Sequence, residues 1–311
     1  MPDYPQISLQ LRTFTDDPDH DWSTTLGLAT AMDVAGIDRV VVSDHVVFGE
    51  APEAYANPAL GGVAGGRQPT GPDGQWLEPL TVLTAISATT NRIRLGTAIL
   101  LAALRRPAVL AKQVATLDVL SGGRVDLGVG VGWQREEYDA VGLAFERRGR
   151  ALDHTLEVCQ TLWTQRRATY ASAELSFNGI HQMPKPVQPG GVPIWVSGTV
   201  NASVARRIAR FGSGWIPWGT ARDDPAEAIT RMKDAIVAAD GDPTGLQVQG
   251  NAVTVKRADG GIDVEATVAT APPLVEAGVT DVRFTLSIPK DRQHAIDLLS
   301  ELASAFHAAT R

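Results

Sequence analysis

Eight short apolar segments recur along the chain and alternate with stretches of helical period. The segments are rich in Val, Ile and Leu, as in VVVSD and LGVGVG, which is typical of strands buried on both faces of a parallel sheet. The intervening stretches carry apolar residues three or four positions apart, which is typical of helices that pack on a sheet. The predicted strands are residues 6–11, 38–44, 92–100, 124–132, 193–198, 214–219, 246–253 and 281–288.

Four of the predicted helices have a recognisable apolar face. One begins at Pro107, which suits a first helical turn, and ends at the stop signal of Gly122 and Gly123. Another follows the first strand, and its apolar face is interrupted by Asp33, so the sequence does not define the edge of that face. The residues on the four faces are Trp22, Leu26, Ala29, Asp33 and Gly36; Leu110, Val114, Leu117 and Leu120; Leu152, Leu156, Cys159 and Trp163; and Ile296, Leu299, Ala303 and Phe306.

Eight strand–helix units predict an α/β fold, a (β/α)8 TIM barrel that occupies residues 1–311 as a single domain. Such barrels typically need about 250 residues, and the excess here lies in two insertions. Residues 46–77, after strand 2, are rich in Gly and Pro, and residues 164–192, before strand 5, contain a predicted hairpin and a Pro-rich return. A doubly wound sheet is the alternative, but its dinucleotide fingerprint requires glycines after the first strand, where residues 12–22 have none.

Composition and charge narrow the functional classes. A net charge of −7 provides no basic surface for nucleic acid, so we expect none as a partner. The single cysteine, Cys159, cannot form an internal disulfide, which fits a reducing compartment. The N-terminus lacks a basic and apolar leader, and no apolar run approaches the roughly 20 residues of a membrane span. We therefore expect a cytoplasmic protein that binds no membrane.

Asp44 and His45 end the second predicted strand, directly after three valines and Ser43. The carboxyl ends of barrel strands form the active face, so polar residues at this end indicate an active or binding site. An aspartate and a histidine can contact a cofactor ring, act as acid and base, or bind a metal. Alternatively, Asp44 caps the following loop and His45 only fills space. The other histidines show no ligand spacing, so no metal site is expected.

Glycines mark two further strands at the same end of the barrel. Gly96-Thr97 interrupts the third strand, which indicates a bulge, a close approach of backbone to a ligand, or a barrel position that requires a small residue. In the fourth strand Gly128, Gly130 and Gly132 alternate on one face and leave room for something large at the barrel mouth. This pattern alone is not a dinucleotide fingerprint, because the spacing is G-x-G-x-G.

The segment PIWVSGTVNASVARR predicts a strand, a glycine turn and a helix capped by Asn201 or Ser203. The free N–H groups at a helix N-terminus form an anion site, and barrels often bind phosphate in their late loops. The alternative is an ordinary turn. The segment lacks the lysine of a P-loop, so hydrolysis of a nucleoside triphosphate is not expected.

Five segments in this order carry a family resemblance: VVVSDHV, LEPLTVLTAISATTNRIRLGTAIL, RRPAVLAKQVATLDVLSGGRVDLGVGVGWQREEYDAVG, PKPVQPGGVPIWVSG and ARFGSGW. In their order and spacing they resemble the luciferase-like flavin/deazaflavin oxidoreductase superfamily, and the similarity covers most of the chain. Within it, the sequence looks most like the actinobacterial branch of F420-dependent oxidoreductases. That branch uses coenzyme F420, an 8-hydroxy-5-deazaflavin, in place of FMN.

The resemblance implies that the cofactor ring lies across the mouth of the barrel. A non-prolyl cis peptide would fall between Ala98 and Ile99, and Ile99 would press on the central ring. Asp44 would meet the ring or its hydroxylated edge, and His45 would be the proton donor or orienting group near the reacting carbon. The implied cofactor-binding residues are Asp44, Thr97, Ala98, Ile99, Gly130, Gly132, Gly198 and Thr199, the last two at the phosphate.

One position departs from relatives that oxidise glucose 6-phosphate. These place a glutamate directly after the glycine strand, whereas this chain has Trp133, so oxidation of a sugar phosphate is not expected. Glu137, four residues on, is interpreted as structural or close to the phosphate rather than catalytic. Four aromatic residues could form a wall for an apolar or planar substrate, although each could equally be core: Phe48, Trp76, Trp133 and Trp218.

The predicted function is hydride transfer between F420 and an unidentified small organic substrate, with His45 as general acid. The first alternative is an FMN-dependent monooxygenase that activates oxygen with a partner reductase. The second is a barrel that only binds or stores a deazaflavin. The insertion at residues 46–77 could be a lid, a surface excursion or a dimer contact, and Arg67 would contact an anionic substrate only if the insertion folds inward. The resemblance also implies a homodimer.

Overall fold

Eight parallel strands close into a barrel in the computed structural model, which describes residues 4–310. Around the barrel the order is β1, β12, β11, β10, β9, β6, β5, β3, so each strand neighbours the next barrel strand in the chain and β1 closes on β12. All eight predicted strands are present and the (β/α)8 barrel is confirmed. The strands are β1 (Gln6–Gln10), β2 (Phe14–Thr15), β3 (Arg39–Val42), β4 (Gln75–Trp76), β5 (Arg94–Thr97), β6 (Val125–Val129), β7 (Ala168–Ala171), β8 (Ser176–Ile180), β9 (Ile194–Gly198), β10 (Gly212–Pro217), β11 (Gln247–Asn251) and β12 (Asp281–Phe284).

Helices surround the barrel and cover its outer surface with apolar side chains. The helix at Pro107 begins at that residue, and Asn201 rather than Ser203 caps the helix of the late loop. Among residues 4–310 no helix combines the length and apolar character needed to cross a membrane. The helices are α1 (Trp22–Ala35), α2 (Pro79–Thr89), α3 (Pro107–Leu120), α4 (Arg135–Ala140), α5 (Arg148–Thr164), α6 (Ala202–Phe211), α7 (Pro225–Val237), α8 (Val264–Val268), α9 (Pro272–Glu276) and α10 (Arg292–Thr310).

Asp33 interrupts the apolar face of α1 because it makes specific hydrogen bonds to the chain that enters β5. Its carboxylate is buried and accepts the backbone N–H groups of Asn91, Arg92 and Ile93 at 2.9, 2.9 and 2.7 Å. Burial alone would raise the pKa of Asp33, but the three N–H donors outweigh it, so the pKa lies below its usual value. The residue joins the first helix to the third barrel strand.

We expect Asp33→Asn to destabilise the protein by about 1–3 kcal/mol, because one carboxylate oxygen is replaced by an NH₂ group that faces an N–H donor. Since the folded pKa is depressed, the carboxylate contributes its stability at neutral pH and loses it as the pH falls below about 4. Urea unfolding of both proteins at pH 7 and at pH 3 measures this. The difference between them should shrink at pH 3, and equal stability at pH 7 would contradict the role.

Both insertions lie where the sequence places them. The first follows β3 and contains short 3-10 turns at Pro52–Ala56 and Pro58–Leu60 before β4, which pairs antiparallel with β2. The second contains the predicted hairpin, formed by β7 and β8. A cis peptide at Met183-Pro184 lies in the return that leads to β9.

The inside of the barrel is polar, whereas barrels of this kind are usually filled by Val, Ile and Leu. Arg39 lies at its centre, forms ion pairs with Asp126 (2.8 Å) and Asp281, and donates to Gln6 at 3.2 Å. Asp281 also accepts a hydrogen bond from Ser8 at 2.6 Å. Each of these five side chains has a partner inside the barrel. The apolar core therefore lies outside the strands, under the helices, and the sequence analysis did not anticipate the charged interior.

Candidate active site

A cavity of about 680 Å³ lies at the carboxyl ends of the barrel strands. Its walls come from the residues that follow β3, β5, β6, β9 and β10 and from the first insertion. Eleven of the thirteen predicted site residues line it: Asp44, His45, Trp76, Ala98, Ile99, Gly130, Gly132, Trp133, Gly198, Thr199 and Trp218.

Thr97 and Phe48 do not line this cavity. Thr97 is buried and donates its hydroxyl to the carbonyl of Gly128 at 2.7 Å, so it joins two strands inside the barrel. Phe48 packs behind His45, with the two ring centroids 4.5 Å apart. Thr97 was predicted to contact the cofactor directly. In the structure its hydroxyl is bonded to the neighbouring strand, so Thr97 supports the wall of the cavity from inside the barrel.

The peptide bond between Ala98 and Ile99 is cis, as the resemblance predicts. Both residues line the cavity directly after β5. The carboxylate of Asp44 fixes the chain that follows, since it accepts the N–H of Leu101 at 2.8 Å and a bidentate pair of bonds from Arg105 at 2.6 and 3.1 Å. Its side chain has no exposed surface, so the carboxylate oxygens are already used within the protein. Asp44 is placed to position residues 98–101 rather than to offer a free carboxylate to a ring.

The three alternating glycines of β6 and its extension make room for the neighbouring chain. A Cβ on Gly128 would lie 1.9 Å from the carbonyl oxygen of Thr97. A Cβ on Gly130 would lie 2.8 Å from Cδ1 of Ile99, and one on Gly132 would lie 2.7 Å from Cδ2 of Leu101. The large group predicted to occupy this space is thus residues 97–101 of the chain itself, although Gly130 and Gly132 also face the cavity.

His45 has a carboxylate partner, Glu137, which was predicted to be structural or close to the phosphate. Its Nδ1 lies 3.2 Å from Oε1 of Glu137, which also accepts the N–H of Val46 at 2.8 Å. Glu137 is fully buried in the first turns of α4. Glu137 lies on the helix that directly follows the glycine strand, but no sequence signal links it to His45. With a carboxylate at Nδ1, the Nδ1–H tautomer is favoured and Nε2 is left for a ligand.

Aromatic side chains form two groups around the cavity. In the first, Trp76 meets the ring of His45 edge to face, with centroids 4.7 Å apart, and stacks on Phe14 at 4.2 Å. In the second, Tyr55 lies 5.5 Å from Trp133 and 6.2 Å from Trp218, measured between ring centroids. The aromatic wall predicted from the sequence is thus present at three of its four positions, and Tyr55 extends it.

Tyr55 was not among the predicted site residues, and the glycines of the insertion hold it in place. A Cβ on Gly62 would lie 1.9 Å from the carbonyl oxygen of Tyr55, and one on Gly66 would lie 2.9 Å from its ring. These glycines follow Tyr55 closely in the sequence and fold back over it. The glycine-rich run is therefore shaped around one aromatic side chain.

The first insertion folds inward and forms one wall of the cavity, and Arg67 lies on that wall. Its path is fixed at several points. Gly49 donates its N–H to Gln134 at 2.7 Å, and the carbonyl of Gly61 accepts the indole N–H of Trp218 at 3.0 Å. Gly71 donates to Asp16 at 2.9 Å. Of the three possibilities for this insertion, a passive surface excursion does not fit these contacts.

The predicted phosphate side lies at α6. The side chain of Asn201 accepts hydrogen bonds from the N–H groups of Ser203 and Val204 at 3.0 Å each. Contrary to the prediction, these two donors are therefore not free to bind an anion. Thr199 and Arg148 face the cavity nearby. The guanidinium of Arg148 packs on a phenylalanine ring and donates only to backbone carbonyls. An anion at this side would thus meet a cation and a hydroxyl rather than a free helix end.

These features are those of a (β/α)8 barrel with a large cavity at the carboxyl ends of its strands. The model of the luciferase-like monooxygenase family matches residues 7–259, and the chain belongs to this family.

Similar sequences include both uncharacterized and characterized proteins. An uncharacterized protein of Mycobacterium tuberculosis is 42% identical over 164 residues, which are 52% of this chain and 57% of that protein. An F420-dependent glucose-6-phosphate dehydrogenase of Segniliparus rotundus is 35% identical over 186 residues, 58% of this chain and 48% of that enzyme. The chain thus matches only about half the length of these relatives.

Solved structures with the same fold use two cofactors. An F420-dependent secondary alcohol dehydrogenase, in complex with an F420–acetone adduct, superposes with a TM-score of 0.74 at 18% identity and covers 97% of this chain and 99% of its own. The oxygenating constituent of 3,6-diketocamphane monooxygenase from Pseudomonas putida, in complex with FMN, gives a TM-score of 0.72 at 14% identity and covers 99% of both chains. At these identities the likeness supports the fold.

Proposed function

We propose that this protein is an F420-dependent oxidoreductase that transfers a hydride between the deazaflavin and a small organic substrate. The observation that carries the proposal is the arrangement of His45, which has Glu137 at its Nδ1 and lines the same cavity as Ile99 and the cis peptide. The F420-dependent relatives and the F420-binding neighbour support the choice of cofactor. His45 is the residue to which we assign proton transfer.

The cavity fits a large flat ring system. Ala98, Ile99 and Leu101 form an apolar wall of the cavity, and Gly130 and Gly132 line it without side chains. Ile99 would support the ring, while Thr199 and Arg148 would hold the phosphate. When bound, a deazaflavin supplies a carbon that donates or accepts a hydride.

The protein's own residues supply the proton and exclude water. Glu137 holds the imidazole of His45 in one orientation and keeps a proton on Nδ1, so that Nε2 gives up or accepts the proton that accompanies the reaction. Trp76 and Phe48 pack against the imidazole ring and limit access of solvent to it. The aromatic walls favour a substrate with an apolar or planar body.

The cofactor is tested first by titrating the purified protein with oxidised F420 and, in parallel, with FMN, while intrinsic tryptophan fluorescence is followed. Trp76, Trp133 and Trp218 line the cavity, so a bound ring should quench their emission. We expect low-micromolar binding of F420 and at least tenfold weaker binding of FMN. The opposite preference would contradict the proposal and favour an FMN-dependent monooxygenase with a partner reductase.

The same proposal extends to the assembly and location of the enzyme. We propose a homodimer in the cytoplasm, on the basis of the family resemblance. Sedimentation velocity of the full chain measures the assembly, with a mass of two chains expected.

A further inference from the structure

Arg67 brings a guanidinium without an acidic partner to the wall of the main cavity. The residue lies on the first insertion and lines the cavity, and it forms no ion pair within residues 4–310. A guanidinium carries its N–H donors in a planar fork that matches a carboxylate, and it is always charged. An arginine in this position can therefore pair with the anionic group of a ligand that enters the cavity.

The other cationic side chains of the cavity wall already have partners. Arg207 pairs with Asp153 at 2.5 Å, and Nδ1 of His45 lies 3.2 Å from Glu137. Arg148 packs on a phenylalanine ring and donates to two backbone carbonyls, and we assign it to the phosphate of the cofactor. Among the described residues of the wall, Arg67 is thus the cation that remains for a further anion.

Neighbouring charged groups leave Arg67 in this position. Asp223 lines the cavity, but it follows the turn Gly219–Arg222, whose first residue lies next to the side chain of Thr199. This acid therefore belongs to the phosphate side of the cavity. Arg222 and Arg283 likewise form no ion pair in the part of the chain that the structure describes, but neither lines the main cavity.

Contacts on either side of Arg67 fix its place along the wall. Directly before it, Gly66 packs on Tyr55, because a Cβ on Gly66 would lie 2.9 Å from Cε1 of that ring. Three positions after it, the hydroxyl of Thr70 accepts the indole N–H of Trp76 at 2.8 Å. Since each residue of a chain spans at most about 3.6 Å, the backbone of Arg67 must lie close to both contacts. Arg67 is therefore held between the two aromatic groups of the cavity.

One of these contacts also connects Arg67 with the proposed proton donor. Trp76 meets the ring of His45 edge to face, with centroids 4.7 Å apart, and both side chains line the cavity. A ligand that packs along the aromatic side chains can thus reach His45 with one part and Arg67 with another. Its charged group then lies at the insertion, and its reacting group lies at the barrel.

We propose that Arg67 binds a carboxylate of the substrate, and that the substrate is an organic acid with an apolar or planar body. The carboxylate accepts two parallel hydrogen bonds from the guanidinium, while Tyr55 and Trp76 pack against the body. The proposal rests on the proposed function, since it concerns the substrate of the same reaction. An anionic group of the cofactor has the same chemistry, so the experiment separates these two sources of negative charge.

The probes are benzoate, trans-cinnamate and 2-naphthoate, each paired with its neutral primary amide. They are titrated by isothermal calorimetry into the full-length protein, with and without saturating F420. We expect at least one acid to bind about fivefold or more tightly than its amide, because only the acid forms charge-assisted hydrogen bonds with the guanidinium. The preference should fall at high salt, since Arg67 is exposed and its charge is screened.

Arg67→Gln is the primary variant, because the side chain is exposed and its loss should leave the barrel folded. We expect the preference for the acid to fall to about twofold or less, while F420 binding stays within twofold. Arg67→Glu should reverse the preference in favour of the amide, and Arg67→Lys should keep part of it. Arg231→Gln removes the same charge from the exposed face of α7, outside the cavity, and should have no effect.

Several outcomes would overturn the proposal. If no acid of the panel binds more tightly than its amide, or if Arg67→Gln keeps the preference, Arg67 does not bind a substrate carboxylate. Weaker F420 binding in Arg67→Gln with an unchanged preference would assign the residue to the cofactor. Selective binding of an acid by a wild-type protein that does not bind F420 would leave the carboxylate site in place and refute the cofactor in the proposed function.

Discussion

Replacement of His45 by alanine is expected to lower kcat by about 10²- to 10⁴-fold, the range associated with loss of a positioned acid or base. The imidazole lines the cavity and has the carboxylate of Glu137 at its Nδ1. Binding of F420 should change by no more than about threefold, since we assign support of the ring to Ile99 and the glycine strand. The measurement is the rate of F420 reduction or reoxidation at saturating substrate.

Glu137→Gln is the matched variant, because it keeps the shape of the side chain and removes its charge. It should lower kcat less than His45→Ala, because the imidazole remains but loses the carboxylate that holds its orientation. A kcat equal to that of the wild type would contradict the positioning role of Glu137. Turnover of His45→Ala within about threefold of the wild type would contradict the role of His45 as general acid.

Gly128→Ala is expected to destabilise the protein by about 3 kcal/mol or more, at the upper end of the cost of inserting a methyl group into a packed interior. Its Cβ would lie 1.9 Å from the carbonyl oxygen of Thr97, and this is backbone that cannot turn away as a side chain would. The displaced segment carries Ile99, so we also expect F420 binding to weaken by at least tenfold. Urea unfolding and fluorescence titration measure the two effects.

Gly27→Ala provides the control for the same chemical change. Gly27 lies within α1 and a Cβ there would meet no atom within 4 Å. The substitution should therefore stabilise the protein by about 0.5–1 kcal/mol, because alanine loses less conformational freedom in a helix. If Gly128→Ala were as stable as the wild type, the close approach of the two strands would not be a constraint on the site.

The barrel could be predicted from the sequence because its signals are local. A strand such as VVVSD and a helix such as the one that begins at Pro107 can each be recognised within about 15 residues. The alternation of strands and helices then leaves few topologies for the chain. The ends of strands then locate the mouth of the barrel. Strand ends place Asp44 and His45 at this mouth, whereas the Ala98–Ile99 bond was predicted from the family resemblance, and all of them line one cavity.

Partnerships between distant residues could not be predicted in the same way. His45 and Glu137 are 92 positions apart, and nothing in either neighbourhood indicates the other. Asp44 was interpreted from its position at the mouth, but its partner Arg105 lies on a different loop. Arg283 resembles any other polar residue that alternates along a strand. Whether such a residue has a counter-ion depends on the packed barrel, which local patterns do not describe.

The wall formed by the first insertion has a consequence for how this enzyme can diversify. His45, to which we assign proton transfer, and the cis peptide each follow a barrel strand closely, whereas Tyr55 and Arg67 belong to the first insertion. That segment can be exchanged for one of different length and composition while the reaction chemistry remains in place. Selection for a new substrate can therefore act on residues 46–77 without changing His45 or the cis peptide.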